Sequence, residues 1–243
     1  MTGRYDAAFF DFGGTLFSYR DVGRKMFANT LAGARRLGAS GEPRELGTLY
    51  RRANESAFKQ MGTRAYYLHR EIFENAFRGF AQLLGKEASP VDVEWFYNGQ
   101  RDALVHGFSL RANCIETLSA LRARGLHVSI VSNIDDDFLD PMVARSGLDA
   151  HLDAWTSSEE ARSCKPDPGI FRLACEKAGV APDRVMFVGD SREADIAGGR
   201  ALGMTTVLIR DGDTLPPGVG AGEPGEPHHE IEDLAEVLAL LES

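Results

Sequence analysis

Six polar residues stand at the ends of apolar runs or in or just before helical stretches. Asp11 closes the short apolar run Ala7–Phe12 and is followed at once by Gly13-Gly14-Thr15. A carboxylate at the end of a buried strand is well placed for chemistry, and two glycines let a tight turn approach a ligand. Taken alone, Asp11 reads more readily as a strand-terminating acid in a solvated turn. A second acid, Asp190, closes Val185–Val188 in the string Val-Gly-Asp-Ser, and Asp195 lies five residues on. If a helix starts near Arg192, Asp190 and Asp195 converge on one point. Convergent carboxylates repel unless a cation lies between them, and an all-oxygen set favours Mg²⁺. Helix capping by Asp190 or Ser191 is the alternative. Ser132-Asn133 ends a third apolar run, where a hydroxyl and backbone N–H groups can hold an anion or simply cap the next turn. Lys165, in Lys-Pro-Asp-Pro, can neutralise a phosphate or bridge two carboxylates.

The elements that must carry these residues alternate. Ala7–Phe12, His127–Ser132, Val185–Val188 and Thr205–Ile209 are short, apolar and bounded by turn residues or charge, as buried parallel strands are. A fifth run, Leu152–Thr156, is weaker. Helical stretches fall between and around them, at Cys114–Gly125, Asp137–Gly147, Pro168–Gly179 and Ala194–Gly203. This grammar predicts an α/β fold with a doubly wound parallel sheet.

Residues 18–106 break the alternation. Four helical stretches are expected there, at Val22–Leu37, Pro43–Gln60, Tyr66–Leu84 and Val91–His106. In the third, Leu68, Ile72, Phe73, Ala76, Phe77, Phe80, Leu83 and Leu84 recur at helical spacing. An all-helical domain at 18–106 is therefore read as inserted into an α/β core made of 1–17 and 107–243. Asp211–Pro227 is rich in Gly, Pro and acid and is expected to be an exposed loop. Glu230–Leu241 is expected to be a final amphipathic helix.

Composition narrows the function. The 243 residues carry 27 Lys and Arg against 36 Asp and Glu, a net charge of −9. Such a chain is a poor candidate for gripping nucleic acid or an anionic membrane by bulk charge. No run of about 18 apolar residues is present to span a bilayer. The apolar run near the start is too short for a signal-peptide core. Cys114, Cys164 and Cys175 are odd in number and lack CxxC spacing, which points away from a disulfide framework and toward a reducing, cytoplasmic setting. Asn54-Glu55-Ser56 is read as a chance glycosylation sequon.

Together the stations form an ordered set: Asp-x-Gly-Gly-Thr, Ser-Asn, Lys-Pro-Asp-Pro and Gly-Asp-Ser-x-x-x-Asp. Asp11 and Ser132 lie 121 residues apart, Ser132 and Lys165 33, and Lys165 and Asp190 25. This order resembles the haloacid dehalogenase superfamily, in the subgroup with a helical cap between the first and second motifs. The resemblance covers essentially the whole chain. It implies a Rossmann-like core, a nucleophile at Asp11 that becomes an aspartyl-phosphate, and a charge-offsetting cation at Lys165. It implies phosphate contacts from Gly14, Thr15, Ser132, Asn133 and Lys165. It also implies a Mg²⁺ site made by Asp11, the Gly13 carbonyl, Asp190 and Asp195. The substrate would be a small phosphorylated metabolite; monomer and homodimer are equally compatible with the sequence.

One departure from that pattern is large. The superfamily's phosphatases carry a second Asp two residues after the nucleophile, which protonates the leaving group and then activates water. Here the position is Gly13. The sequence therefore predicts a retained metal site and a lost general acid/base, worth typically ~10²–10⁴-fold in rate. Tyr19, Asp135 and Asp136 are candidate substitutes. Other outcomes are a dehalogenase-like reaction, a phosphonatase-like reaction with a cap lysine (Lys25, Lys59 or Lys86), or a non-catalytic binding protein. Trp95, Phe96 and Tyr97 fit either a substrate pocket or packing, and His228-His229 either a metal or a solvated loop.

Overall fold

The computed structural model describes residues 4–210 and 225–241. The chain divides into two compact units. One holds residues up to Ser18 and from Ser109 on, and the other is Tyr19–Phe108.

The first unit is built on a parallel sheet. Among the described residues its strands are β1 (Ala7–Phe10), β2 (His127–Ser132), β3 (Ala154–Ser157), β4 (Val185–Gly189), β5 (Thr205–Ile209) and β6 (His229–Ile231). Their spatial order is β3-β2-β1-β4-β5-β6, and every pairing is parallel. The chain thus winds outward from β1 in one direction and then from β4 in the other. The point where it reverses lies between β1 and β4, and ligands in such sheets bind beyond the carboxyl ends at that point. All four β1 residues are fully buried because they pair on both sides. That double burial is why the strand reads as a continuous apolar run.

The second unit holds α1 (Tyr19–Arg36), α2 (Pro43–Met61), α3 (His69–Leu83) and α4 (Pro90–Val105). Its core is aromatic: Phe77 and Phe96 stack with centroids 4.2 Å apart, and Tyr50 meets Phe80 edge-on. Gly33 of α1 is needed there, because a Cβ would come 2.8 Å from Phe77. α4 starts at a capping box in which Ser89 and Asp92 satisfy each other's N–H groups and Pro90 takes the first turn. Phe96 and Tyr97 are core residues, so the aromatic run belongs to packing; Trp95 lies partly buried against the same cluster.

The helices of the first unit are α5 (Cys114–Ala123), α6 (Asp136–Ser146), α7 (Ser158–Ala161), α8 (Pro168–Ala178) and α9 (Gly198–Ala201). Three expectations need correction. The weak fifth strand is present but displaced toward the C-terminus, at Ala154–Ser157; just before it Asp153 donates its N–H to Val128 O, and its carboxylate accepts from Val128 N. The stretch 194–203 is not one regular helix. Ser191 O accepts from both Asp195 N and Ile196 N, and this opens a wide π-type turn at Arg192–Ala197 before α9. The expected final helix starts instead as β6. Its backbone extends the sheet on β5, with His228 N donating to Thr206 O and Arg210 N to Ile231 O, and a 3₁₀ helix follows at Leu234–Leu241. Helical periodicity in a short segment thus yielded to an unpaired strand edge. Of the expected loop Asp211–Pro227, residues 211–224 lie outside the described residues.

Candidate active site

Phe10 pairs with both Ile130 and Val188, so the carboxyl ends of β1, β2 and β4 lie within two residues of one another. Asp11, Ser132 and Asp190 therefore emerge side by side at the switch point. Asp11 is anchored by its N–H to Val188 O at 2.9 Å. Lys165 reaches the same place from the segment before α8. Its ammonium is buried and donates to Asp11 Oδ1 at 2.7 Å, Asp195 Oδ1 at 2.6 Å and Val131 O at 2.9 Å. An ammonium has three protons, and each is used. Burying such a charge is costly unless it is paired and hydrogen-bonded, and here it is both. Burial alone would lower the Lys165 pKa, but the Asp11 and Asp195 charges outweigh it and raise it.

Ser132 Oγ adds a second donor to Asp11 Oδ1 at 2.9 Å. Among the described residues the other oxygen, Oδ2, is met only by the Thr15 hydroxyl, at 3.5 Å. Asp11 is thus held firmly through one oxygen and loosely through the other.

Asp11, Asp190 and Asp195 each offer one oxygen within 4.8 Å of the others. Three carboxylates and one ammonium leave two negative charges in a largely buried space. Burial first, and then the charges of Asp11 and Asp195, push Asp190 well above the usual carboxylate range. Burial, opposed by Lys165, pushes Asp195 up to about 6. Among the described residues no side chain donates to the Asp190 carboxylate. Asp195 differs: Oδ1 takes Lys165, and Oδ2 takes Ser191 N at 2.9 Å. Hard oxygen donors, excess negative charge and an Asp190 carboxylate to which no described side chain donates suit a small divalent cation.

Two glycines make this packing possible. Gly14 has φ +88°, and a Cβ there would fall 2.1 Å from Asp190 Oδ2; one on Gly189 would fall 2.4 Å from Asp195. Gly13 is partly exposed in the same turn. Asn133 departs from the anion-contact expectation. Its Nδ2 donates to Lys165 O at 2.9 Å and its Oδ1 accepts from Lys165 N at 2.6 Å, so the amide holds the lysine's backbone.

The candidate substitutes for the absent acid lie as follows. Asp136 is bound by the Ser157 hydroxyl at the end of β3. That strand is two places from β1, roughly 10 Å by strand spacing. Asp135 is buried and precedes α6, accepting from Phe138 N and Leu139 N through its carbonyl. Tyr19 opens α1 in the other unit. His228 is exposed in the bend before β6, and its Nδ1 accepts from Thr206 N at 3.0 Å. Cys164 is buried, as are the other two cysteines.

Sequence reasoning missed Arg111. Its guanidinium donates to Gly14 O and its N–H to Leu16 O at 2.9 Å. It belongs to no motif, and a contact across 97 residues leaves no local signal.

Known proteins share this frame. A haloacid dehalogenase of Burkholderia cepacia, (S)-2-haloacid dehalogenase 4A, is 35% identical over 147 residues, which span 59% of this chain and 61% of that protein. Ribulose-1,5-bisphosphate 5-phosphatase of Halopiger xanaduensis is 26% identical over 97% of this chain and 98% of its own. The magnesium-bound structure of the HAD-hydrolase YfnB from Bacillus subtilis superposes with a TM-score of 0.76 over 99% of this chain and all of its own, at 20% identity, a likeness of fold. No described helix is long and apolar enough to cross a membrane. The sequence pattern of haloacid dehalogenase-like hydrolases matches residues 5–203, and the chain belongs to that family of hydrolases.

Proposed function

We propose that the protein hydrolyses a small phosphorylated metabolite with the help of Mg²⁺, through transient phosphorylation of Asp11. The observation that carries this reading is the asymmetry of Asp11. Its Oδ1 is fixed by Lys165 and Ser132, while Oδ2 has only the long Thr15 contact. Oδ2 is the oxygen that attacks phosphorus; the bond to the leaving oxygen breaks and its electrons depart with that oxygen. Water then attacks the aspartyl-phosphate, and phosphate leaves with Asp11 restored. Lys165 keeps Asp11 oriented and offsets charge as the two anionic groups approach.

Asp11, Asp190 and the Gly13 carbonyl would hold Mg²⁺, with Asp195 acting mainly through Lys165. Bound there, the ion supplies electrostatic relief for the site's excess carboxylates and the phosphoryl group. Gly14, Thr15 and Ser132 line the turn and strand end where the phosphate would rest, and Asn133 serves by placing Lys165. The helical unit Tyr19–Phe108 would act as the cap that selects the substrate. Three buried cysteines that form no disulfide fit a reducing cytoplasm.

Gly13 sets the substrate class. With no acid at this position and Asp136 committed to Ser157, the preferred leaving group departs without a proton, as aryl, enol, acyl and anhydride oxygens do. The test is Mg²⁺-dependent hydrolysis of p-nitrophenyl phosphate and a sugar phosphate by the wild type and Gly13→Asp. The expected result is aryl-ester activity in the wild type and sugar-phosphate activity gained by the variant. No turnover of either ester by either protein would overturn the reading.

The alternative is halide displacement from a 2-haloacid, favoured by the 35% identity to a protein of that name and by Gly13. It makes no use of the Asp190 carboxylate, which stands with Asp11 and Asp195 as an oxygen cluster. Metal-independent halide release would establish it. A phosphonatase-like Schiff base is disfavoured, because Lys25, Lys59 and Lys86 are all exposed, whereas such a lysine works desolvated.

A further inference from the structure

The turn that follows Asp11 is fastened by a residue outside every motif. Within Phe12–Phe17 the backbone bonds are internal: Gly14 N to Phe17 O at 2.8 Å and Leu16 N to Phe12 O at 2.9 Å. They shape the turn but tie it to nothing else. The polar attachment to the rest of the unit comes from Leu110 and Arg111. Leu110 forms an antiparallel bridge with Phe17, Arg111 N donates to Leu16 O at 2.9 Å, and the Arg111 guanidinium donates to Gly14 O. A charge-assisted bond of this kind is roughly twice as strong as a neutral one.

Gly14 is also closely packed against the site. It sits at φ +88°, with Asp190 Oδ2 occupying the space a side chain would fill. A shift of the Gly14 peptide therefore changes the distance between the Asp11 turn and Asp190. The Arg111 charge also acts on Asp233. The Ala235 N–H and the Asn113 amide, which donates to both Asp233 oxygens at 3.0 Å, hold that carboxyl below its usual range, and the Arg111 charge adds to this.

We propose that Arg111 is a positioning residue for Asp11: by clamping the Gly14 carbonyl it seats the turn against Asp190 and fixes the spacing of the two carboxylates. The proposal rests on Asp11 and Asp190 being the nucleophile and an ion ligand. Lysine, a single-point donor on a different stem, replaces this clamp only in part.

The test compares wild type, Arg111→Met and Arg111→Lys in two measurements. One is steady-state hydrolysis of p-nitrophenyl phosphate; the other is Mg²⁺ binding to the substrate-free protein by isothermal titration. Displacing a catalytic group by a fraction of an ångström to 1 Å costs about 10- to 100-fold. Arg111→Met is therefore expected to lose kcat on that scale with KM little changed, and to bind Mg²⁺ several-fold more weakly. Arg111→Lys should recover part of both losses. Wild-type kcat and Mg²⁺ affinity in Arg111→Met would overturn the proposal. So would a loss confined to KM with Mg²⁺ binding intact, which marks a substrate contact. If Arg111→Met does not fold, Arg111→Lys decides by the same two readouts. Asp11→Asn is the control for the underlying reading. If it retains turnover, Asp11 is not the nucleophile, while the Mg²⁺ titration still decides the role of Arg111.

Discussion

Asn133 grips the backbone of Lys165 at both ends of one residue, donating to its carbonyl at 2.9 Å and accepting from its N–H at 2.6 Å. These two bonds join the end of β2 to the segment before α8 across 32 residues. They set where the lysine's stem begins, and the buried ammonium has no latitude once its three acceptors are met. Asn133→Ala should leave two buried backbone groups unpaired, at about 1–3 kcal/mol each. Stability measured by urea unfolding is expected to fall by that order, and kcat by at least about tenfold. Asn133→Asp keeps the acceptor but sets a carboxylate against a carbonyl, so it should not restore either quantity. Wild-type kcat in Asn133→Ala would show that the clamp does not set the lysine.

Lys165→Met tests the charge balance directly. It removes the ammonium and strands Asp11 and Asp195, and breaking a buried pair this way costs about 3–5 kcal/mol. Turnover should vanish. Mg²⁺ should stabilise the variant against urea more than it stabilises the wild type, because the variant's cluster carries one more uncompensated charge. Equal Mg²⁺ stabilisation of both proteins would mean that the ion does not sit among these carboxylates.

Much of this site was legible in advance because its residues mark strand ends. Asp11, Ser132 and Asp190 each close a run whose apolar composition comes from burial on both faces, so the sequence carries both the strand and its terminus. Lys165 was legible as a cation and Asp195 by its five-residue distance from Asp190. The role of Asn133 was not, because an amide that can hold an anion can equally hold a backbone, and only the fold brings residue 165 opposite it. Arg111 left no trace, since its partner is a carbonyl, which every residue has. β6 was misread for a related reason. The register that makes His229–Ile231 a strand is written on the edge of β5, not in those three residues.

Gly14→Ala is expected to fail on two grounds. A left-handed backbone costs an L-residue roughly 1–2 kcal/mol. The new methyl must also expel the Asp190 carboxylate, 2.1 Å away. Mg²⁺ affinity by isothermal titration should therefore drop well beyond what the change in thermal midpoint predicts. A variant that is less stable but binds Mg²⁺ normally would remove Asp190 from the ion's ligands.

Gly189→Ala probes the other wall, where a Cβ would fall 2.4 Å from Asp195. Asp195 contacts Lys165, so the expected effect is on orientation: kcat falls while Mg²⁺ affinity changes less than in Gly14→Ala. The reverse ranking, read by the same titrations, would make Asp195 rather than Asp190 the direct ligand.

The edge of the sheet carries a pH dependence of its own. His228 Nδ1 accepts the Thr206 N–H at 3.0 Å, which requires that nitrogen to be unprotonated. Burial, followed by the charges of Arg200, His229 and Arg4, holds its imidazole below the ordinary value near 6.5. Between the depressed folded value and the ordinary one, the unfolded chain binds more proton than the folded chain. Stability from this group is therefore complete above about 6.5 and is lost as pH falls toward the folded value. In His228→Asn an amide oxygen can take the acceptor's place without titrating. With Mg²⁺ saturating in both proteins, the difference in urea midpoint between wild type and His228→Asn should move against the wild type as pH drops from about 7.5 to 5.5. A difference that stays constant across that range would show that His228 titrates as it does in the unfolded chain, and that the Thr206 bond does not hold its protonation state.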